Sequence, residues 1–255
     1  MHAAGASEPL QDVVAESDRI LEATGGAGVV VRLLGGVAVA KHLHRPLARE
    51  LSRTYGDIDL IVHGDGARRL RDVLEALGYQ ANRHFNNLHG ERRLQYLDMA
   101  NDRHLDVLID VFEMCHKLDN LVLTTHPQTL SPADLLLTKL QVVQITEKDL
   151  IDACTLLIQH QVEAVEGDCI DLRILADVCR RDWGWFTTVT ENLLKVDDFA
   201  RDRLQESEGQ ANVLAKTGAI IDAVQKAPKA LRWKARARVG RRVPWYILPE
   251  EPNTV

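Results

Sequence analysis

The chain predicts an α/β domain followed by an all-α domain, and three observations carry that expectation. Short β-branched runs alternate with helical periodicities through the first half. The alternation stops near residue 128, and beyond it the apolar residues recur at helical spacing only. Strands interleaved with helices in this order form a mixed sheet flanked by helices. The stretch HKLDNLVLTTHPQ, 116–128, is the candidate boundary, giving domains 1–118 and 119–255, the second ending in a basic tail.

Taken in order, residues 10–23 place Leu10, Val13, Val14, Ile20 and Leu21 close to helical spacing, and GGAG at 25–28 ends that helix. VVVRLL at 29–34 is β-branched and apolar, as a buried strand requires. After Gly35 and Gly36, VAVAKHL is a short helix. DIDLIV at 57–62 is a second strand, and GARRLRDVLEALGY at 66–79 is a helix closed by Gly78. RRLQYLDMA at 92–100 and HLDVLIDVF at 104–112 are two further extended runs. The helical half opens at TLSPADLLLTKLQVV, with Ser131 as N-cap, Pro132 at the first helical position and Asp134 at the third. Further helices are expected over 147–160, 168–181, 183–195 and 198–226.

Composition bounds the function. With 255 residues, 45% apolar and 27% charged, the chain reads as a soluble globular protein able to bury a sizeable core. Its start lacks a basic segment followed by an apolar one, and no run reaches the roughly 20 apolar residues needed to cross a bilayer, so the expected location is the cytoplasm, with no membrane partner. The four cysteines stand singly, without metal-ligand spacing, and read as buried free thiols. The histidines are scattered. A net charge of −6 argues against a protein that coats nucleic acid over its whole surface. The charge is uneven, however: KAPKALRWKARARVGRRVPWY, 226–246, holds eight Lys or Arg and no acid, and without them the rest would stand at −14. With Trp233, Trp245 and Tyr246 interleaved, this tail suits RNA phosphates and unpaired bases. It equally suits a terminus folded back on the protein's own acidic surface.

The chemistry concentrates on the second strand. Residues i and i+2 of a strand share a face, so Asp57 and Asp59 set two carboxylates side by side among the apolar Ile58, Leu60 and Ile61. Such a pair repels itself unless a cation shares it, and hard oxygen ligands at this spacing suit Mg²⁺. The Gly35-Gly36 step between a strand and a helix lets backbone N–H groups approach an anion. A third carboxylate comes from RHLDVLIDVF, where Asp106 and Asp110 are four apart and on one strand face; Asp106 follows the polar DRH and is preferred. In the helical half, Lys139 lies in the apolar LLLTKLQVV and must snorkel or meet an anion. Asp149 and Asp152 share a helix face at i and i+3, although acids early in a helix are also ordinary dipole partners.

The ordered set LLGGVAVAKHL, DIDLIV and HLDVLID resembles the nucleotidyltransferase superfamily related to DNA polymerase β, with its glycine turn, its D-x-[D/E] strand and a later acidic strand. Residues 130–157, with a helix lysine and then KDLID, resemble the AbiEii/MenT branch of that superfamily. The matches cover roughly 29–160. The resemblance implies a nucleotidyltransferase fold in the first domain. It implies that Gly35 and Gly36 contact nucleotide phosphates and that Asp57, Asp59 and Asp106 hold metal, two Mg²⁺ ions with Mn²⁺ as the alternative. Lys139 would neutralise triphosphate charge, and Asp152, with Asp149 in reserve, would sit near the acceptor as base or metal-side helper. Gly36 stands where many members carry serine. The implied activity is transfer of a nucleoside monophosphate from an NTP to an acceptor with release of pyrophosphate. Three readings stay open: a toxin-like enzyme acting on tRNA or another RNA and paired with a cognate antitoxin, a small-molecule enzyme of the antibiotic-modifying kind, and a non-catalytic nucleotide-binding module.

Overall fold

A computed structural model describes residues 7–119 and 121–248; the outer ends of both expected domains, and Asn120 in the boundary stretch, lie outside the described residues. The chain divides into two compact units. One comprises 1–42, 54–112 and 119–130, and the other 43–53, 113–118 and 131–255.

The first unit is built on a five-stranded mixed sheet. Helix α1 (Val13–Gly26) leads into β1 (Val31–Leu34) and α2 (Gly35–Lys41), followed by β2 (Ile58–Val62) and α3 (Gly64–Ala76). Then come β3 (Gln80–Ala81), α4 (Arg83–His89) and the hairpin of β4 (Arg93–Asp98) with β5 (Arg103–Ile109). The strand order is β1-β2-β5-β4-β3, with β2 and β5 parallel and the other pairs antiparallel. Alternation sorts the faces: Ile58, Leu60, Leu94, Tyr96, Leu105 and Val107 are buried, while Asp59, Asp106, Arg93 and Gln95 stay half-buried. Gly66 lets α3 lie close to the sheet, since a Cβ there would meet Val62 Cγ2 at 3.0 Å and Val29 Cγ1 at 3.1 Å.

Both sheet edges are occupied. On the β1 side, Leu33 N–H donates to the Gln128 carbonyl and the Leu33 carbonyl accepts from Leu130 N–H, each at 2.9 Å. On the β4 side, where β3 is only two residues long, the Asn86 side chain of α4 pairs with the backbone of Gln95: Oδ1 accepts its N–H at 2.7 Å and Nδ2 donates to its carbonyl at 3.1 Å.

The second unit packs α5 (Pro132–Leu140), α6 (Glu147–Gln159), α7 (Leu172–Arg181), α8 (Trp183–Arg203), α9 (Glu208–Lys226) and α10 (Leu231–Val239). The predicted start of α5 holds in detail: Ser131 Oγ accepts Asp134 N–H at 3.1 Å and donates to Asp134 Oδ2 at 2.7 Å, with Pro132 at the first helical position. Asn192 of α8 closes the other end of α5, donating from Nδ2 to the carbonyls of Leu140 and Val142 at 2.8 Å. All four cysteines are buried free thiols, as expected, and burial pushes those of Cys154 and Cys179 up to about 12. Among the described residues no helix is long and apolar enough to cross a membrane.

Candidate active site

Strand β1 ends where Gly35 takes φ +69°. A side chain there is excluded twice. A left-handed backbone costs an L residue roughly 1–2 kcal/mol, and a Cβ would lie 2.0 Å from Asp59 Oδ2. The glycine is thus what lets the turn into α2 lie against the Asp59 carboxylate, opposite which Leu34 stands in register.

Asp59 and Asp106 are register partners on the parallel strands β2 and β5. Neighbouring strands run about 4.8 Å apart, so the two carboxylates emerge side by side on the half-exposed face. Asp57 is exposed one residue ahead of β2, whose pairing begins at Ile58 rather than at 57 as the sequence suggested. From β4, Arg93 Nε–H donates to Asp106 Oδ1 at 3.0 Å, with its guanidinium 5.8 Å from the centre of the Phe85 ring. The ion pair stays accessible, the two side chains being 43% and 21% exposed.

Asp110 was expected to share the strand face of Asp106, and it does not. β5 ends at Ile109, and Asp110 turns to φ +62°. Its Oδ1 accepts Gly64 N–H at 3.0 Å, with His63 Nδ1 at 3.4 Å. A carboxylate at the N-terminus of α3 meets the positive end of the helix, a sufficient structural reason for this residue.

In the helical unit, Lys139 Nζ lies 2.9 Å from Asp152 Oδ2 and 3.7 Å from Asp149 Oδ1. Asp152 is fully buried and takes a second cation: Arg53 grips it through Nε at 2.7 Å and one terminal nitrogen at 2.8 Å. Asp149 completes a capping box with Thr146, whose N–H and hydroxyl donate to its Oδ2 at 3.2 and 2.7 Å.

A family model described as an uncharacterised nucleotidyltransferase matches residues 10–188, which spans both groups of residues and more than half of the chain. The chain belongs to that nucleotidyltransferase family. No functionally curated protein matches it. A crystal structure of an antigenic nucleotidyltransferase-like protein from Paracoccidioides brasiliensis is similar at 13% identity, over 88% of this chain and 97% of that one, with a TM-score of 0.40.

The oxygens on the sheet of this nucleotidyltransferase are a hard donor set, and Gly35 leaves the space beside Asp59 clear of side-chain carbon. Both properties fit Mg²⁺, which takes one or two carboxylates and completes its shell with water and phosphate oxygens. Sequence reasoning missed two cations, Arg93 at Asp106 and Arg53 at Asp152. Arg93 was detectable, because Arg93 and Gln95 alternate with buried Leu94 and Tyr96 and so belong to the face of Asp106. Arg53 was not, since its partner lies 99 residues away and nothing local marks the pairing.

Proposed function

We propose that this nucleotidyltransferase moves a nucleoside monophosphate from an NTP to an RNA acceptor, with tRNA the first candidate, in a metal-dependent reaction that releases pyrophosphate. One observation carries the reading: Asp59 and Asp106 stand in register on adjacent parallel strands of a half-exposed face, with the Gly35 backbone against Asp59. Asp57, Asp59 and Asp106 are the residues that would hold Mg²⁺, or Mn²⁺ in its place. Two such ions, when bound, stabilise charge on the attacking and leaving oxygens of an in-line displacement.

The acceptor hydroxyl forms a bond to the α-phosphorus as the bond to the pyrophosphate oxygen breaks, and its proton passes to water. The chain's own contribution is positioning and charge. The Gly35-Gly36 turn offers backbone donors unobstructed by side chains. Arg93, once turned from Asp106, presents a forked donor to phosphate oxygens. Lys139 takes the charge-neutralising role that the resemblance gives it. Asp152, with both oxygens held by Arg53 and Lys139, positions that ammonium rather than receiving a proton. The RNA acceptor is supported by the basic aromatic tail and by the AbiEii/MenT-like KDLID segment; the toxin-like setting and an antitoxin partner rest on that resemblance alone.

The test incubates the protein with Mg²⁺, each labelled NTP in turn and total tRNA, beside an Asp59→Asn control. Label on RNA that disappears in the control is the expected result. Label on small hydroxylated acceptors but never on RNA would replace this reading with the antibiotic-modifying one. NTP binding without pyrophosphate release in any mixture would leave a binding module.

A further inference from the structure

We infer that the helical unit carries a nucleotide-binding cleft, walled by Trp183, Trp233, Trp245 and Tyr246, that takes the base and phosphate of an unpaired RNA residue. The RNA source rests on the reading above, but binding to the cleft is measured without NTP and without catalysis, so the two stand or fall separately.

The cleft has a volume of about 420 Å³, within the roughly 300–1,000 Å³ typical of small-molecule sites. Its outer wall is the chain after α10, and that wall is fastened. Ile247 N–H donates to the Cys115 carbonyl at 3.0 Å, and Trp245 Nε1–H donates to Thr188 Oγ1 at 3.2 Å. Gly184 admits it, because a Cβ there would lie 2.7 Å from the Trp245 carbonyl oxygen. The rings meet edge-on, Trp183 with Trp245 at 5.8 Å and 75°, Trp245 with Tyr246 at 5.2 Å and 83°. In an edge-to-face pair only one of the two rings has a face covered by the other, so the cluster is not a closed stack and a base can add to it.

Positive charge is laid beside these rings. Arg236 lies over the Trp183 ring at 5.0 Å from its centre, Arg241 over Trp245 at 5.5 Å and Lys229 over Trp233 at 5.5 Å, each on one face, so a stacking base takes the other face. Lys117, Arg181 and Arg232 also line the cleft, against two acids, Glu113 and Asp182. One Asp182 oxygen is occupied by the N–H groups of Gly184 and Trp185 at 2.7 and 3.1 Å, and Arg232 stands 3.6 Å from the other. Arg181 is also paired with Asp177 Oδ2 at 2.5 Å, but the lining itself carries four cations, Lys117, Arg181, Arg232 and Arg236, against two acids, a formal balance that favours an anion. Lys234, Arg238 and Arg242 are exposed nearby in the chain and make no ion pair among the described residues, which suits the flanking phosphates of a strand better than a lone nucleotide.

The four tryptophans of the chain make the test direct. Three line the cleft, and Trp185 packs on His116 of its wall with ring centres 5.1 Å apart. Asp59→Asn protein is titrated with a hexauridylate, AMP, an RNA duplex, polyphosphate and an oligoglutamate, following tryptophan fluorescence. Saturable quenching by hexauridylate is expected, with an affinity about tenfold weaker in Arg181→Gln/Arg232→Gln and in Tyr246→Ala. In the arginine variant the dependence of log affinity on log salt should flatten by about 0.7 for each phosphate that is no longer neutralised. Both arginines are exposed, so circular dichroism should be unchanged. AMP binding as tightly as hexauridylate would support the cleft and overturn RNA as its source. Equal binding of duplex, polyphosphate or oligoglutamate, or variants that leave affinity and salt slope unchanged, would overturn the cleft. No quenching of the Asp59→Asn protein, with transfer by the unsubstituted protein, sinks this inference alone; quenching with no transfer by the unsubstituted protein sinks only the catalytic reading.

Discussion

Two acidic groups in this molecule are built in opposite ways. On the sheet, Asp59 and Asp106 stand together on a half-exposed face, and an accessible arginine touches Asp106. In the helical unit, Asp152 is fully buried and its oxygens are taken by two cations of the chain, Arg53 and Lys139. The first group is open to solvent, its Arg93–Asp106 ion pair included, while the second is neutralised from within and closed to water. The contrast matches the proposed function, in which the accessible sheet carboxylates meet the metal and Asp152 holds other side chains in place.

The sharpest way to break this contrast is to remove one member of each group. Asp152→Ala leaves two cations without their buried counter-charge and should cost about 3–5 kcal/mol of stability. That is a fall of order 10 °C in melting temperature, read by calorimetry; an unchanged melt would show that the triad does not hold the helices. Asp59→Asn should do the reverse, lowering nucleotidyl transfer by about 10²–10³-fold while leaving the melt within a few degrees. A large loss of stability there would make Asp59 structural.

Acid should separate the two kinds of burial further. Burial pushes the His116 imidazole down to about 4 from its ordinary 6.5, with Asp182 opposing in part. The folded ring therefore stays neutral while the unfolded chain takes up a proton, so its contribution is intact above pH 6.5 and is lost as the pH falls toward about 4. The loss is up to about 3 kcal/mol. Tryptophan-detected urea melts should show it, and His116→Gln should flatten the slope across that window.

The smallest effect sharpens the sheet group. If Arg93 competes with metal for Asp106, Arg93→Gln should tighten Mn²⁺ binding in the absence of NTP by a few-fold, since an accessible ion pair contributes only about 0–1 kcal/mol. Titration calorimetry would read it, and weaker binding would mean that Arg93 helps the ion.

Much of this is legible in the sequence because the signals are local. Extended apolar runs mark β2, β4 and β5, and Ser131, Pro132 and Asp134 mark the start of α5 to the residue. Gly35 and the DID strand point to one place by residue type and spacing alone. What cannot be read depends on distant partners or on how a strand ends. Asp110 shares the spacing of a strand face but lies past the last paired residue. Arg53 meets Asp152 only through the tertiary fold. The polar RHFNNLH lacks an apolar stripe and so hides α4, and the basic tail conceals α10 because its helix buries no residue fully.

Helix α4 has a consequence of its own. Exposed sheet margins are where one polypeptide recruits another by backbone pairing, the usual route to fibrous aggregates. Here the amide of Asn86 imitates a neighbouring strand for Gln95, and residues 128–130 do the same for Leu33 at the opposite margin. Neither side therefore offers a long open ladder to a stranger, and a partner that approaches this sheet must be recognised through its side chains.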